Sequence, residues 1–493
     1  MHGNRESQRL TTRRTVLQTV AVGVGGAATG IGSAGVTAGE RPRQSTASWP
    51  SYRGTGANSG WVSGPDGIAT AVEERWAVES DPKPNHLSVH GGRVYLSLDN
   101  GESEPYEGAI RALDAETGEE QWRFDTDRWM QSVPVARGGA VYALANGDGE
   151  GYVYELDAGD GTERWFQTLD SEPVAGLSAA DGTVCVGTVD GKLVAMDRDG
   201  DRRWRRDLGR SVWDPLAVVD GAIYVTGDNA TINNQTPGQP TVVSALDADT
   251  GRESWRYEVG QVGATSPVVA NGTVYVTDDS GVVHAVGTNG TPEWTVETDD
   301  DLWLPTVHGG TVYLSGSKTL YALAAGDGSV QWRIEGETDV DPLVGTTDAL
   351  YTSVDGELTA VDPGTGATRT LAGVPGGPAA VAGDTIYVQS GETVHAFEIT
   401  ERAPGLPVPT ATPSPTSSPT GTPTPTRSPT PAETPIQPPG SDDTGRNTDR
   451  NAGVGAQTTT ADGSLSFVTA LASVLGSGAV LARRSRAPDD EEA

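Results

Sequence analysis

The sequence contains a single cysteine and only three lysines among its 493 residues. One cysteine, Cys185, cannot form an intrachain disulfide, and it excludes a cysteine-rich zinc site. Acidic residues outnumber basic ones by 67 to 34, for a formal net charge of −33. This balance excludes a protein that grips a nucleic-acid backbone, because such binding needs clustered positive charge. The 65 glycines and 32 prolines predict many turns and few long helices.

The acidic excess belongs to one part of the chain. Residues 46–400 hold 55 acids and 21 bases, a net charge of −34, which leaves both ends close to neutral. The scarcity of lysine, with arginine retained, resembles the proteins of salt-loving archaea, which stay hydrated in multimolar salt. We therefore expect a haloarchaeal protein, with an ordinary soluble acidic protein as the alternative.

The N-terminal residues 1–38 resemble a twin-arginine (Tat) export signal peptide. Arg13 and Arg14 precede an uncharged stretch, Thr15–Gly39, that contains too many glycines for a good membrane span. The small residues Val36–Ala38 offer a cleavage site, and no cysteine follows that could carry a lipid anchor. We expect export of the folded chain, with an ordinary N-terminus and a chance arginine pair as the alternative.

The C-terminal part resembles an anchor at the end of a stalk. Between Pro404 and Gly440 there are thirteen prolines and nine threonines, a composition that predicts a stiff, disordered linker over residues 401–462. Residues 463–482 include eighteen uncharged residues before an arginine cluster, which predicts a transmembrane helix with residues 483–493 in the cytoplasm. The layout resembles haloarchaeal C-terminal sorting signals, but the usual Pro-Gly-Phe is missing. A retained helix is therefore expected, and processing by an archaeosortase is the alternative.

The middle segment repeats one unit eight times. An aliphatic residue followed by an aromatic one recurs about every 42 residues, at Val94-Tyr95, Val141-Tyr142, Val184-Cys185, Ile223-Tyr224, Val274-Tyr275, Val312-Tyr313, Leu350-Tyr351 and Ile386-Tyr387. Cys185 takes a tyrosine position, so we interpret it as a packed strand residue. A second pattern, Ala-x-Asp-x-x-Thr-Gly followed by tryptophan, leads with some decay to Trp122, Trp165, Trp204, Trp255, Trp294 and Trp332. The copy that begins at Ala360 has no tryptophan.

Short strands, tight Asp/Gly turns and this period predict the blades of a β-propeller. We interpret the repeat tryptophans as contacts between neighbouring blades. The last unit ends near Glu398 without its tryptophan strand, whereas an extra tryptophan strand, Arg75–Glu79, precedes the first unit. The N-terminal strand would therefore complete the last blade and close the ring. We predict an all-β, eight-bladed propeller over residues 46–400, with seven blades as the alternative.

The motif Ala-x-Asp-x-x-Thr-Gly-x-x-x-Trp resembles the repeat of pyrroloquinoline-quinone (PQQ)-like β-propellers. The opening Trp49-Pro50-Ser51-Tyr52-Arg53-Gly54 resembles the segment before their first blade, and the likeness covers residues 49–398. That family includes quinoprotein dehydrogenases, the propeller subunit of the bacterial outer-membrane assembly machine and many non-enzymatic surface proteins. The resemblance therefore implies the fold more strongly than any function.

The resemblance implies that a quinoprotein dehydrogenase would carry a vicinal disulfide, a calcium ion held by carboxylates and amides, and a catalytic aspartate. The lone Cys185 rules out the disulfide, and no residues match the calcium and base positions. Asp197–Asp201 resembles a calcium loop but lies in the repeat's turn and lacks the distal glutamate. No two histidines show metal-ligand spacing. We predict no catalytic residue, no metal and no cofactor, with a PQQ-dependent dehydrogenase as the alternative.

Seven residues are candidates for ligand binding. Three tryptophans outside the repeat position lie in connections that enter innermost strands, on the face that also carries the loops between second and third strands. Aromatic and charged groups around a concave mouth bind sugars, peptides or aromatic ligands. The predicted site comprises Trp129, Trp213, Trp303, Arg128, Arg210, Asp214 and Asp301. The alternative is that these indoles fill gaps between blades.

These features predict an exported, membrane-anchored scaffold that binds a ligand or protein at the cell surface without catalysis. The expected partner is a surface protein or a glycan and not a nucleic acid, and the chain is expected to be a monomer. A purely structural surface protein is a further alternative. Four Asn-x-Ser/Thr sites would accept glycans outside the cell, at Asn229, Asn234, Asn271 and Asn289.

Overall fold

The computed structural model describes residues 48–407, except residues 49–50, 52, 56, 101–105, 131, 148, 174–175, 181, 228–239, 261–262, 337–342 and 376–377. These described residues form strands and turns without an α-helix. In chain order the strands are β1 (Ile68–Glu79), β2 (Lys83–His90), β3 (Arg93–Asp99), β4 (Gly108–Asp114), β5 (Glu120–Thr126), β6 (Trp129–Met130), β7 (Val135–Arg137), β8 (Ala140–Gly147), β9 (Glu150–Asp157), β10 (Glu163–Leu169), β11 (Leu177–Ala180), β12 (Thr183–Gly187), β13 (Lys192–Met196), β14 (Arg202–Asp207), β15 (Ala217–Val219), β16 (Ala222–Gly227), β17 (Thr241–Asp247), β18 (Glu253–Gly260), β19 (Val268–Ala270), β20 (Thr273–Thr277), β21 (Val282–Gly287), β22 (Pro292–Glu297), β23 (Thr306–His308), β24 (Thr311–Ser315), β25 (Thr319–Ala324), β26 (Val330–Glu335), β27 (Val344–Gly345), β28 (Leu350–Val354), β29 (Glu357–Val361), β30 (Thr368–Pro375), β31 (Pro378–Ala382), β32 (Thr385–Ser390) and β33 (Thr393–Ala403).

The strands form eight antiparallel sheets, which are the blades of a propeller. Blade 1 is β2–β5, blade 2 is β6–β10, blade 3 is β11–β14, blade 4 is β15–β18, blade 5 is β19–β22, blade 6 is β23–β26, blade 7 is β27–β30, and blade 8 is β31–β33 with β1. First strands of neighbouring blades contact each other, for example β11 with β15 and β31 with β2, so these strands surround the axis. The prediction of eight blades is confirmed.

The repeated aromatic positions form one row across each blade. In blade 1, Tyr95 lies opposite Ala112, and Ala112 lies opposite Trp122. The Tyr95 and Trp122 rings are 5.8 Å apart, and a tyrosine–tryptophan pair recurs in blades 2, 4, 5, 6 and 8. Such rows let each blade bury aromatic surface against the next one. Blade 2 departs from the pattern with Glu155, and blade 3 departs from it with Cys185.

The Asp-x-x-Thr-Gly pattern builds the turn between the third and fourth strands. The Asp247 carboxylate accepts a hydrogen bond from the Thr250 backbone N–H at 2.8 Å, and the Thr250 hydroxyl also donates to it. The residue after the threonine, Gly251, has a φ of +65°, a conformation that favours glycine. A Cβ atom there would lie 2.5 Å from the Trp204 ring. A residue without a side chain therefore lies against the indole of the preceding blade.

In seven of the eight blades an indole also donates a hydrogen bond to this turn in the next blade. Seven indole N–H groups donate to backbone carbonyls at 2.8–3.1 Å; the donor and acceptor pairs are Trp76 and Ala115, Trp122 and Ala158, Trp165 and Arg198, Trp204 and Ala248, Trp255 and Thr288, Trp294 and Ala325, and Trp332 and Pro363. We call each of these a junction hydrogen bond. The interpretation of the repeat tryptophans as contacts between blades is confirmed.

The junction between blades 7 and 8 uses arginine instead of tryptophan. Arg369 lies opposite Ala360, at the position that tryptophan takes in the other blades. Its Nε donates to the carbonyl of Thr70 in blade 8 at 3.0 Å. A guanidinium supplies planar N–H donors as an indole does, so the eighth junction keeps a hydrogen bond although the sequence motif has lost its tryptophan.

The ring closes where β1 pairs with β33. Trp76 lies opposite Ala396, and β1 is the outermost strand of blade 8. The predicted closure by the Arg75–Glu79 strand is therefore confirmed. Strand β33 ends at Ala403, and the buried Leu406 donates its backbone N–H to Asp362 at 3.2 Å. The chain thus stays packed on the propeller for a few residues past 400.

Residues 53–55 and 57–64, which we call the N-terminal segment, cross the inner edges of three blades. The carbonyls of Ala57, Ser59 and Gly60 accept backbone N–H groups from β19, β23 and β27 at 2.8–3.0 Å. Trp61 packs onto Gly345, where a Cβ atom would lie 2.0 Å from the indole, and it stacks on His308 at 4.0 Å. The segment therefore satisfies inner-edge donors that no neighbouring strand reaches.

The predicted export signal with Arg13 and Arg14, the linker beyond residue 407 and the transmembrane helix at 463–482 lie outside the described residues. Within the part of the chain that the structure describes, no helix has the length and apolar character to cross a membrane.

We expect Trp255→Phe to lower the free energy of unfolding by about 1–3 kcal/mol. The variant loses the junction hydrogen bond to Thr288 and part of the indole's buried surface. Urea unfolding at fixed KCl measures the effect. Val330→Ala on β26 is the control, because Val330 is 55% exposed and its loss should cost within about 0.5 kcal/mol. Equal midpoints for Trp255→Phe and wild type would show that the junction hydrogen bond adds no stability.

Candidate functional site

The alternating strand directions divide the ring into two faces. The turns between first and second strands and between third and fourth strands lie on one face, the turn face. The loops between second and third strands and the connections between blades lie on the other, the loop face. All seven predicted ligand-binding residues lie in blade connections on the loop face.

Trp213 and Trp303 occupy equivalent positions in blades 4 and 6. Each stands two residues before a proline, Pro215 or Pro305, at the entrance to the first strand. Both side chains are half-buried. The backbone of Trp303 pairs with the Ser315 carbonyl at 2.9 Å, whereas its buried indole N–H has no hydrogen-bond partner among the described residues. A buried donor without an acceptor costs free energy. Among the three tryptophans, Trp303 is therefore the strongest candidate for binding a ligand.

Trp129 and Arg128 belong to a different environment. Trp129 lies in β6, opposite Asn146 of β8, and therefore extends the sheet of blade 2. Arg128 donates to the Tyr154 hydroxyl at 2.7 Å, and its guanidinium lies 3.9 Å from the centre of the Tyr152 ring. These contacts use the guanidinium to hold the connection against blade 2. Arg128 is thus accounted for by the fold, and Trp129 is not equivalent to the other two tryptophans.

Arg210, Asp214 and Asp301 also differ from one another. Arg210 is 8% exposed and donates to the Pro240 carbonyl at 2.5 Å. Burial, with a smaller contribution from Arg256, lowers the pKa of Arg210 below its ordinary value. Asp214 is half-buried beside Trp213, and Asp301 is exposed beside Leu302. Of these three residues, Asp301 alone is exposed.

His86 is a titratable group that the sequence did not single out. It lies on β2 opposite Ser97 of β3, and the Ser97 hydroxyl is buried without a hydrogen-bond partner. No described residue forms a hydrogen bond with the His86 imidazole. Burial lowers the pKa of His86 to about 4, so the ring is neutral near pH 7. Its repeat position gave no signal, because the other blades carry no histidine there.

The lone cysteine and the aspartate-rich turn have structural roles. Cys185 is fully buried on β12, and burial raises the pKa of its thiol to about 12. It occupies the tyrosine position, opposite Ala195. Asp197 accepts the backbone N–H groups of Asp199 and Asp201 at 3.0 and 2.9 Å, so its carboxylate stabilises the turn. No cluster of three or more potential metal ligands occurs within the described residues.

Two of the four predicted glycosylation sites fall within the described residues. Asn271 is exposed with a φ of +52° in the turn between β19 and β20. Asn289 is exposed in the turn between β21 and β22, where its side-chain carbonyl accepts the Thr291 N–H at 3.0 Å. Both lie on the turn face. Asn229 and Asn234 fall in residues 228–239, outside the described part.

Two family models match parts of the propeller. The model of the outer membrane protein assembly factor BamB matches residues 239–380. The model of the β-propeller domain of glucose, ethanol and alcohol dehydrogenases matches residues 103–283. The propeller therefore carries PQQ-like repeats, and the likeness points to two functionally different groups.

Individual relatives fall into the same two groups, assembly factors and dehydrogenases. The outer membrane protein assembly factor BamB of Yersinia pestis is 29% identical over 199 residues, which cover 34% of this chain and 46% of that protein. The quinohemoprotein alcohol dehydrogenase ADH-IIG of Pseudomonas putida is 31% identical over 150 residues, 28% of this chain and 20% of that protein. The chain thus spans less than half the length of these curated relatives.

A solved structure supports the fold alone. The quinohemoprotein alcohol dehydrogenase of Comamonas testosteroni superposes with a TM-score of 0.56 at 15% identity, over 74% of this chain and 82% of that one. The chain is a PQQ-like repeat β-propeller similar to BamB and to quinoprotein dehydrogenases.

We expect acidification to destabilise the wild type more than His86→Gln. The folded pKa, about 4, lies below the ordinary value of 6.5, so stability is complete above pH 6.5 and falls as the pH drops toward 4. Between pH 7 and pH 5 the loss from His86 is up to about 2 kcal/mol. Urea midpoints at both pH values measure it. Parallel losses in the two proteins would mean that His86 is solvated in the folded state.

Proposed function

We propose that this protein is an exported, membrane-anchored scaffold of a halophilic archaeon that binds a ligand or a partner protein outside the cell without catalysis. The observation that carries the proposal is the continuous set of junction hydrogen bonds around the ring. A ring held at every junction displays its loops in one geometry, so little entropy is lost when a partner binds.

The lone cysteine supports a role without quinone chemistry. Cys185 packs inside blade 3, and a lone cysteine cannot form the vicinal disulfide that the resemblance implies for a quinoprotein dehydrogenase. The curated relatives include an outer membrane protein assembly factor as well as dehydrogenases. Of these two precedents, the assembly factor is the one that fits a chain with a single buried cysteine.

The loop face supplies the binding groups in this proposal. Trp213 and Trp303 repeat at equivalent positions two blades apart, and they are not the tryptophans that hold blades together. Large, rigid indoles contribute much contact area for little loss of side-chain freedom. A surface protein or a glycan on this face is the partner we propose.

The two ends of the sequence support the proposed location. The twin arginines favour export of a folded ring, and the Pro/Thr-rich linker would hold that ring away from the predicted membrane helix. The exposed Asn271 and Asn289 would then be available for glycosylation.

Cross-linking on intact cells tests binding and location together. With a reagent that does not cross the membrane, we expect the full-length wild type to give defined cross-linked complexes. Trp213→Ala with Trp303→Ala should reduce these cross-linked complexes at least fivefold, because both indole anchors are lost. Arg13→Lys with Arg14→Lys should give none, because the chain stays inside.

Val330→Ala, on the outer edge of blade 6, is the control and should cross-link as wild type does. The pair Trp213→Phe and Trp303→Phe keeps aromatic filling if the alanine pair unfolds. Undiminished complexes in a folded double variant would contradict binding at the loop face. Labelling of the double lysine variant would contradict export through the twin-arginine signal.

Titration with PQQ tests the absence of catalysis. We expect no saturable binding of PQQ to the full chain in multimolar KCl, with or without calcium, by equilibrium dialysis. Dye-linked alcohol oxidation should stay at the background rate. A quinohemoprotein alcohol dehydrogenase assayed in parallel shows that the reagents work. Saturable binding with turnover would overturn the scaffold proposal in favour of a dehydrogenase.

A further inference from the structure

A cavity of about 290 Å³ lies between blades 2 and 3, on the outer side of the ring. Strand β10 of blade 2 forms one wall, and β13 and β14 of blade 3 form the other. The lining residues are Gln167, Thr168, Leu169, Asp170, Ser171, Thr188, Lys192, Val194, Met196, Asp201, Arg202 and Arg205. Pockets for small molecules have volumes of roughly 300–1,000 Å³, so this one suits a molecule of the size of one sugar ring.

The side chains that fill this place differ between junctions, and two junctions carry an aromatic pair there. At the junction of blades 1 and 2, the rings of Phe124 and Tyr154 pack 5.4 Å apart. At the junction of blades 4 and 5, Tyr257 and His284 fill the same place. The equivalent residues between blades 2 and 3 are Gln167, two residues after Trp165, and Val194, one residue before Ala195. Their smaller side chains leave the space open.

The walls of this space carry bases where other blades carry acids or apolar residues. The residue two before the tryptophan is Glu120 in β5, Glu163 in β10 and Glu253 in β18, but Arg202 in β14. Lys192 begins β13 opposite Asp207, where the corresponding residue of β17 is Val242. The fold tolerates the common residues at these positions, so packing does not require the bases.

Positive charge is concentrated in this part of a strongly acidic propeller. Seven of the 21 bases in residues 46–400 lie between residues 192 and 210, which also hold only four acids. This stretch has a net charge of +3, but Lys192, Arg203 and Arg205 also lie against the acids Asp190, Asp249 and Asp170 from outside it. The charge offered to an anion therefore depends on which base has no acidic partner.

Arg202 is the base whose charge is unused. Lys192 donates to Asp207 at 2.7 Å, and Arg205 pairs with Asp170. Arg202 is exposed and forms no ion pair or side-chain hydrogen bond with any described residue. An anion in the cavity would therefore meet one guanidinium that needs no partner to be displaced.

We propose that this cavity binds a sugar ring that carries a carboxylate. The carboxylate pairs with Arg202, since guanidinium groups bind carboxylates through two parallel hydrogen bonds. The ring hydroxyls donate to Asp170 and Asp201 and accept from Gln167 and Ser171, which line the same space. An acidic amino-acid side chain has no donor for those two carboxylates, so a sugar acid fits better. The cavity contains none of the seven ligand-binding residues predicted on the loop face, and the site does not depend on the scaffold proposal.

Calorimetric titration of the full chain with D-glucuronate tests the proposal, in the lowest KCl that preserves its unfolding transition. We expect saturable binding that weakens as KCl rises, because salt screens the pairing of exposed charges. Arg202→Gln should raise the Kd roughly tenfold without changing the fold. Arg333→Gln is the matched control, because Arg333 is exposed on the outer strand of blade 6, and it should bind as wild type does.

A second variant fills the cavity with the aromatic pair of blades 1 and 2. Gln167→Phe with Val194→Tyr should abolish glucuronate binding while the unfolding midpoint stays equal or rises. Glucose should bind at least tenfold more weakly than glucuronate to the wild type. Absence of glucuronate binding, equal binding of glucose, or unchanged affinity in Arg202→Gln or in the filled variant would each overturn the proposal.

An oligogalacturonate titration distinguishes the source of the sugar acid. Tighter binding of the oligomer than of free D-galacturonate, its own monomer, would identify a unit within an acidic glycan. Equal or weaker binding would identify a free sugar acid. Both outcomes support the site, provided that Arg202→Gln weakens the binding.

Discussion

The hydrogen bond from an outer-strand side chain to a backbone carbonyl of the next blade is the contact on which the ring depends. A propeller closes only if every junction repeats the same geometry, because errors in angle accumulate around the ring. Packing of apolar surface has no direction, whereas an N–H group aimed at a carbonyl fixes both distance and angle. The donors are seven indoles and the guanidinium of Arg369. The requirement is thus a planar donor, for which tryptophan is the common but not the obligatory choice.

This requirement explains which parts of the fold could be predicted from sequence. The aromatic row and the Asp/Gly turn recur along the sequence. Counting these repeats therefore predicted the number of blades and the closure through Trp76. The donor role of Arg369 and the packing of Trp61 on Gly345 could not be predicted. Each occurs once and joins residues far apart in sequence, so no period reveals it. The buried environment of His86 was not predicted for the same reason.

The candidate site was predicted less well than the fold. Strand alternation placed all seven residues on the loop face, but it gave no information on what their side chains contact. Arg128 and Arg210 hold connections in place, and only Trp213 and Trp303 share an equivalent position. A tryptophan two residues before a proline occurs in both connections, whereas Trp129 stands five before Pro134. That difference in spacing was present in the sequence and separates Trp129 from the pair.

Comparison between blades takes the place of comparison between homologues in such a protein. All blades meet nearly the same structural demands, so a residue that departs from its equivalents needs a local reason. Glu155 replaces an alanine and pairs with Arg164 at 2.9 Å, which gives a structural reason. Arg206 replaces an apolar residue and donates to the Gly251 carbonyl at 2.9 Å, which gives another. Arg202 has no such partner among the described residues, and it lines one cavity together with Gln167 and Val194. A departure that no contact explains and that borders a cavity is better evidence of a binding site than exposed aromatic residues alone.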